Sequence, residues 1–499
     1  MSRIVVIGAG IGGMSAAARL ATLGHTVSVF EGSDQVGGKC RTKWINGYAF
    51  DTGPTLLTLP AVYRDLFLKT GDALESVLEI EEVNPSFDYR FVDGSRVQFA
   101  NLSRFQTLKA IEESFGSQSS YQWNELMLRA EKMWDASCET FIEAELLSLP
   151  SLMKRPQFFR DLRTIAPWKS LHSLTRQITK DTRLQYIAER YATYSGSDPR
   201  KAPAVLLSIA FVEEAFGAWH IKGGMGQLAL AIRNRAVERG VIFHCGTKVR
   251  EILHEGVRTT GIRLEDGSSV MADFVVANAD ASQVYSSLLQ SDLEVLKKPR
   301  KSIERSTPSC GGFSLLLGLK KDPKVPQLSH HTVLFPREYE AEFESIFGHM
   351  KPVEKPAIYL CSPNDPLMVK RDDTENWSVL INTPQHSTTG HGWNWNDREY
   401  ATSYADKIID QIESRGIEIR NRLELLEIRT PADLEQETLS PGGSIYGTSS
   451  NGARAAFSRA KNRSPLQGLF CVGGSTHPGG GLPLVGISAE IVANAIGRA

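Results

Sequence analysis

Glycines are the residues of this chain best suited to chemistry. Gly8, Gly10 and Gly13 follow the spacing G-x-G-x-x-G, with Gly12 inside the motif, and Glu31 stands 18 residues beyond Gly13. In such a motif the first glycine permits a tight turn, the second lets backbone approach a pyrophosphate, and the third lets a helix pack closely on its strand. The unpaired amides at that helix's N-terminus then hold the diphosphate. A carboxylate at Glu31 suits ribose hydroxyls and repels a 2′-phosphate, which argues against NADP. The motif alone is a weak signal, so its context decides.

That context is a strand, a turn and a helix. Ile4 to Ile7 form a β-branched run fit for a strand buried on both faces. A helix is expected over 12–23, and after Gly24 the segment TVSVF returns as a second strand ending at Glu31. The other end of the chain repeats the design: LFCV (469–472) reads as a strand, Gly473 and Gly474 open a glycine-rich loop, and an apolar helix is expected to start near 485–487. From Gly240 onward, four alternating runs separated by turn residues predict a small antiparallel meander feeding a last buried strand, 274–277. These segments, 1–70, 220–290 and 440–499, make one nucleotide-binding domain. Segments 71–219 and 291–439 carry no nucleotide signature and read as one discontinuous mixed α/β domain for the substrate. The fold class is therefore α/β, with a Rossmann-like core.

Composition excludes several functions. With 499 residues and a formal net charge of −1, the chain has no general attraction to nucleic acid. The six cysteines are widely separated, with no metal-ligand spacing, so no metal site is expected and a reducing compartment fits. The first strand begins almost at Met1, leaving no room ahead of it for a secretory signal, and a cytoplasmic location is expected. No apolar run approaches the roughly 20 residues needed to span a bilayer. Segment 151–183 carries eight Lys/Arg against Asp161 and Asp181, interleaved with Phe158, Phe159, Ile165 and Trp168. That mixture suits peripheral docking on the anionic inner face of the cell membrane. A solvated helix face with its aromatics turned to the core accounts for it equally well.

The segment VGGKCRTKWINGYAFDTGPTLL (36–57) resembles the extended fingerprint of the FAD-dependent family of amine oxidases, protoporphyrinogen oxidases and phytoene desaturases. Adding RYATYSGSDPRKAPAV, VVANAD and LFCVGGSTHPGGGLPLVGISA, almost the whole chain resembles the bacterial phytoene-desaturase-type carotenoid oxidoreductases. It leans toward their hydroxyneurosporene-type 3,4-desaturase branch. The resemblance implies FAD as cofactor, with Gly38, Lys39, Gly53, Pro54 and Thr55 beside it. It further implies Val249 along the adenine, Asn278 and Asp280 nearby, Gly473 and Gly474 against the cofactor, and Gly486 and Ile487 at a helix start facing the flavin. Ser475 stands where related proteins often carry an acid. The implied reaction is dehydrogenation of an acyclic carotenoid such as phytoene, neurosporene or a 1-hydroxy derivative, by hydride transfer to flavin N5, with electrons passed to quinone or oxygen.

No catalytic triad or metal set is visible. Glu213 and Glu214 are the candidates for stabilising a polyene cation or accepting its proton, although a plain helix-surface role competes for at least one of them. Phe211, Phe216 and Trp219 are candidate tunnel walls, with core packing the stronger expectation for each. Three alternatives remain open: an amine oxidase or other FAD oxidase of the same superfamily, a non-redox carotenoid cis–trans isomerase, and a flavin-binding module without turnover.

Overall fold

The computed structural model describes residues 1–146, 153, 157–453, 455 and 459–499. Its central element is a five-stranded, fully parallel sheet in the order Ile242–His244, Thr26–Phe30, Arg3–Ile7, Phe274–Ala277, Leu469–Cys471. Parallel neighbours cannot be joined by tight turns. The chain therefore reaches this sheet in three visits. Ile4 to Val6 are almost fully buried, as a strand covered on both faces requires.

The first helix, Ile11–Thr22, and the last, Leu482–Ile496, pack side by side against the sheet. Their contact is made possible by small side chains, among them Ala16, Ala17, Ser488 and Ala489, all buried. Gly13 shows why the motif needs its third glycine: a Cβ there would sit 2.3 Å from the Gly8 carbonyl oxygen. The meander forms from three strands, Val249–Glu255, Arg258–Leu264 and Ser269–Met271, while the first of the four expected runs, Ile242–His244, joins the parallel sheet instead; the chain then enters strand Phe274–Ala277 as expected.

A second, seven-stranded sheet runs in the order Leu423–Arg429, Gly311–Lys320, Thr374–Thr383, Ile358–Cys361, His331–Leu334, Phe87–Arg90, Arg96–Phe99. It combines strands from two distant stretches, and only the join between His331–Leu334 and Phe87–Arg90 is parallel. Helices Arg104–Phe115, Ser117–Ser137, Phe158–Ile165 and Ser208–Phe216 belong to the same half of the molecule. Among the described residues no helix is long and apolar enough to cross a membrane.

Candidate active site

A cavity of about 1500 Å³ is lined by residues of both sheets. One end is built from the glycine turns. Gly8, Gly10 and Gly12 line it beside Gly38, Lys39, Gly53, Pro54 and Thr55, together with Asn278, Asp280, Gly473 and Gly474. Glu31 and Val249 line it where the first strand pair meets the meander. Glycine is required at Gly53, where a Cβ would fall 1.8 Å from the Lys39 carbonyl oxygen.

The polar groups of this end suit an extended anionic ligand with sugar hydroxyls. Glu31 accepts bonds from the Ala9 amide at 2.7 Å and the Ser33 amide at 2.9 Å, one on each oxygen, which fixes its carboxylate at the strand end. The first helix has Gly10 as its N-cap, no side chain capping it and no acid in its first turn, so its leading amides are left for a ligand. Lys39 donates to the carbonyls of Ser444 and Ile445, at 2.7 and 2.9 Å. Burial pushes the Lys39 pKa down to about 8, against the pull of Asp280. Arg459 donates to the carbonyls of Thr448 and Gly474, and burial lowers its pKa to about 10, again against Asp280. Neither cation makes a salt bridge with a described carboxylate. Two enclosed positive charges, an uncapped helix and a side-chain-poor cradle together fit the diphosphate of FAD.

The other end of the cavity is apolar. Leu146, Leu162, Ile165, Val205, Ile209 and Val212 line it, with strand residues such as Leu316 and Leu380. Arg190 and Tyr194 also line the cavity.

Several expectations need correction. The last helix begins at Leu482, not near 485–487, because Gly481 makes the turn at φ 102° and Pro483 suits a first helical turn. Its first-turn residues Leu482 to Val485 line the cavity, whereas Gly486 and Ile487 do not. Gly486 faces the helix Ala61–Thr70, where a Cβ would meet Val62 at 2.5 Å. Gly13 is likewise a packing residue rather than a wall of the cavity.

Neither Glu213 nor Glu214 lines the cavity. Glu213 is buried and accepts from the Tyr191 hydroxyl at 2.7 Å and the Tyr194 hydroxyl at 2.8 Å; burial raises its pKa, against Arg190. Glu214 is paired with Arg104. Phe211, Phe216 and Trp219 also stand outside the cavity wall. Ser475 lines it, but its hydroxyl accepts from the Ala281 amide at 2.8 Å.

The basic stretch 151–183 is only partly free. Residues 151, 152 and 154–156, with Lys154 and Arg155, lie outside the described residues. Arg176 pairs with Glu340 and Glu189, and Arg183 with Asp181. Sequence reasoning missed Arg459, Arg190, Tyr194 and Tyr359, all in the cavity wall. No glycine motif flanks them, and only the tertiary fold brings them to the site.

With this geometry, the class is a two-sheet flavoprotein oxidoreductase, and the chain belongs to the flavin-containing amine oxidoreductase family, whose model matches residues 11–313. Its cofactor is FAD. Within that family it falls in the carotenoid desaturase-like branch. It is 32% identical to the 1-hydroxycarotenoid 3,4-desaturase of a Flavobacterium species, over 99% of both chains. It is 30% identical to the 4,4′-diapolycopene oxygenase of a Methylomonas species, over 99% of this chain and 98% of the other. The fold matches an oxidoreductase from Methanosarcina mazei with a TM-score of 0.65 at 17% identity, covering 99% of this chain and 100% of that one. Putrescine oxidase gives the same TM-score at 14% identity, covering 99% and 98%.

Proposed function

We propose that this chain dehydrogenates an acyclic carotenoid, introducing a carbon–carbon double bond, with quinone or oxygen as the final electron acceptor. The observation that carries this reading is the continuity of the cavity, which passes from a cationic, glycine-lined end directly into an aliphatic one. A flavin seated at the first end supplies hydride acceptance. The protein's own contribution is to grip the anionic part of the cofactor with Lys39, Arg459 and the first helix, and to lay a long apolar chain along Ile209, Val212 and Leu316. The aliphatic walls also exclude water, so that positive charge developing on a polyene is not quenched by solvent.

In this reading 1–70, 220–290 and 440–499 form the FAD-binding domain, and 71–219 with 291–439 form the substrate domain. The proposed location is cytoplasmic, with peripheral contact on the inner face of the membrane. Helix Phe158–Ile165 supports that contact: Phe158, Leu162 and Ile165 line the apolar end of the cavity, while Phe159 and Trp168 are 66% and 61% exposed. A membrane-bound polyene would then enter beside this helix.

Oxygenation of a polyene is the second reading, favoured by the diapolycopene oxygenase likeness across the full chain. Product mass separates the readings when the protein is expressed in hosts that accumulate phytoene, neurosporene, lycopene or a 1-hydroxy derivative. Loss of two hydrogens supports dehydrogenation and gain of oxygen supports the second reading. An unchanged mass with altered geometry means isomerisation, and peroxide formed from an amine means an amine oxidase.

A further inference from the structure

Behind the cavity wall lies a line of polar side chains that flavin binding and substrate packing leave unused. Thr55 and Tyr359 both line the cavity, and their hydroxyls share a hydrogen bond of 2.7 Å. The Tyr359 hydroxyl also bonds His331 Nδ1 at 2.6 Å. His331 and Tyr359 sit on neighbouring antiparallel strands, in register two residues apart, which brings their side chains to one face. Next come the rings of His330 and His220, with centroid separations of 4.3 Å (His331 to His330) and 4.9 Å (His330 to His220). At the far end His220 Nε2 donates to the Asp365 carboxylate at 2.9 Å. Asp365 also accepts from the amides of Gly223 and Leu367, and it lies between the exposed residues Asn364 and Pro366.

The second nitrogen of each ring, His331 Nε2, His330 Nε2 and His220 Nδ1, is buried without a protein partner. Leaving a polar atom so costs stability, because the hydration it loses is not replaced. Aliphatic side chains would avoid that cost three times over, so packing does not explain the row. Burial holds His330 and His331 neutral, with the His330 pKa lowered to about 3. Cys361, Arg190 and Asp51 are the other titratable groups that face the rings. A neutral imidazole accepts a proton at one nitrogen while releasing one from the other, so a row of them passes a proton without storing charge.

We propose that Tyr359, His331, His330, His220 and Asp365 form a proton relay from the cavity wall toward the surface at Asn364 and Pro366, beneath which Asp365 is itself buried. The proposal rests on the dehydrogenation reading for the source of its proton. Forming the double bond removes a hydride, taken by the oxidant, and a proton. The carbon–hydrogen bonding pair left by that proton becomes the second bond of the alkene. A proton beside a polyene cation is strongly acidic, so the neutral Tyr359 oxygen suffices as acceptor. Tyr359 passes its own hydroxyl proton to His331 Nδ1 and His331 releases its Nε2 proton; no hydrogen bond joins one ring of the row to the next, so the hops from His331 to His330 and on to His220 need a turn of the rings or a bridging water, after which His220 delivers one proton to Asp365. The reverse turn of each ring restores the starting tautomers.

Two measurements on the full-length, FAD-loaded protein test the relay. The first needs no substrate: ¹⁵N-histidine NMR follows exchange of the ring N–H protons with D₂O. The relay predicts exchange within seconds for His330 and His331 despite their burial, slowed at least tenfold in Asp365→Asn. Slow exchange in the parent protein overturns the relay whatever the substrate proves to be. The second is single-turnover flavin bleaching by a polyene. Tyr359→Phe is expected to slow it roughly 100-fold, and to lose the solvent isotope effect, with FAD content unchanged. Bleaching at the parent rate by both Tyr359→Phe and His331→Gln overturns the relay. A parent protein that oxidises no polyene removes the dehydrogenation reading, and the exchange measurement then decides the relay alone.

Discussion

The two ends of the cavity are built on opposite principles. At the glycine-lined end the backbone forms much of the wall: glycines clear the space, the first helix is uncapped, and Lys39 and Arg459 add charge without a salt bridge to any described carboxylate. At the aliphatic end the side chains form the wall, and Leu162, Val205, Ile209 and Val212 offer only shape and water exclusion. A rigid, charged ligand rewards fixed geometry, whereas a long apolar one rewards area. Tolerance to substitution should differ accordingly.

The largest effect is expected where backbone approach is tightest. Gly53→Val forces a side chain onto the Lys39 carbonyl, 1.8 Å from its Cβ. FAD affinity should fall roughly 100-fold or more, about 3 kcal/mol, read as flavin stoichiometry with circular dichroism as the folding control. A yellow, fully loaded Gly53→Val protein would break the contrast at its stronger end.

Next comes the apolar end. Ile209→Asp places an unpaired carboxylate in the aliphatic wall, and polyene turnover should drop roughly tenfold or more while flavin content stays near the parent level. Equal losses of both would mean that the two ends are not separable.

Lys39→Met should weaken FAD binding by about tenfold, or about 1.4 kcal/mol. The lowered pKa of Lys39 adds a pH signature. An anionic ligand favours the charged amine, so FAD affinity in the parent should begin to fall as pH rises past about 8. Stability of the cofactor-free protein should move the other way. Between about 8 and the ordinary lysine value of 10.5 the unfolded chain binds the extra proton, so this group makes stability rise with pH. Titration calorimetry and denaturant unfolding of parent and Lys39→Met check both slopes.

The smallest effect is expected outside the cavity. Trp168→Ala with Phe159→Ala should reduce binding to anionic liposomes a few-fold, leaving FAD content and detergent-assay turnover unchanged. Binding equal to the parent's would remove the docking role of this helix.

The glycine-lined end of the cavity was largely legible in the sequence because its requirements are local. A tight turn, a close approach and a strand-end acid leave fixed spacings, and Gly8, Gly10, Gly12, Glu31, Gly38, Lys39 and Gly53 all line the cavity. The last helix starts about one turn before the expected 485–487, which leaves Gly486 and Ile487 off the cavity wall, since an apolar run does not mark its own first residue. Glu213 attracted notice as an acid beside an apolar run, yet two tyrosine hydroxyls and a buried arginine already occupy it. Arg459 and Tyr359 had no local signal, because each becomes meaningful only through neighbours far away in the chain.

By itself the sequence determined the family, the cofactor and the parallel core, since strand–glycine–helix spacing at both ends admits few other structures. The tertiary structure alone decided that those ends meet, the first and last helices packing side by side on one sheet. It also decided which polar groups reach the cavity and which are spent on one another. Charge and burial depend on contacts hundreds of residues apart, and no local pattern encodes them.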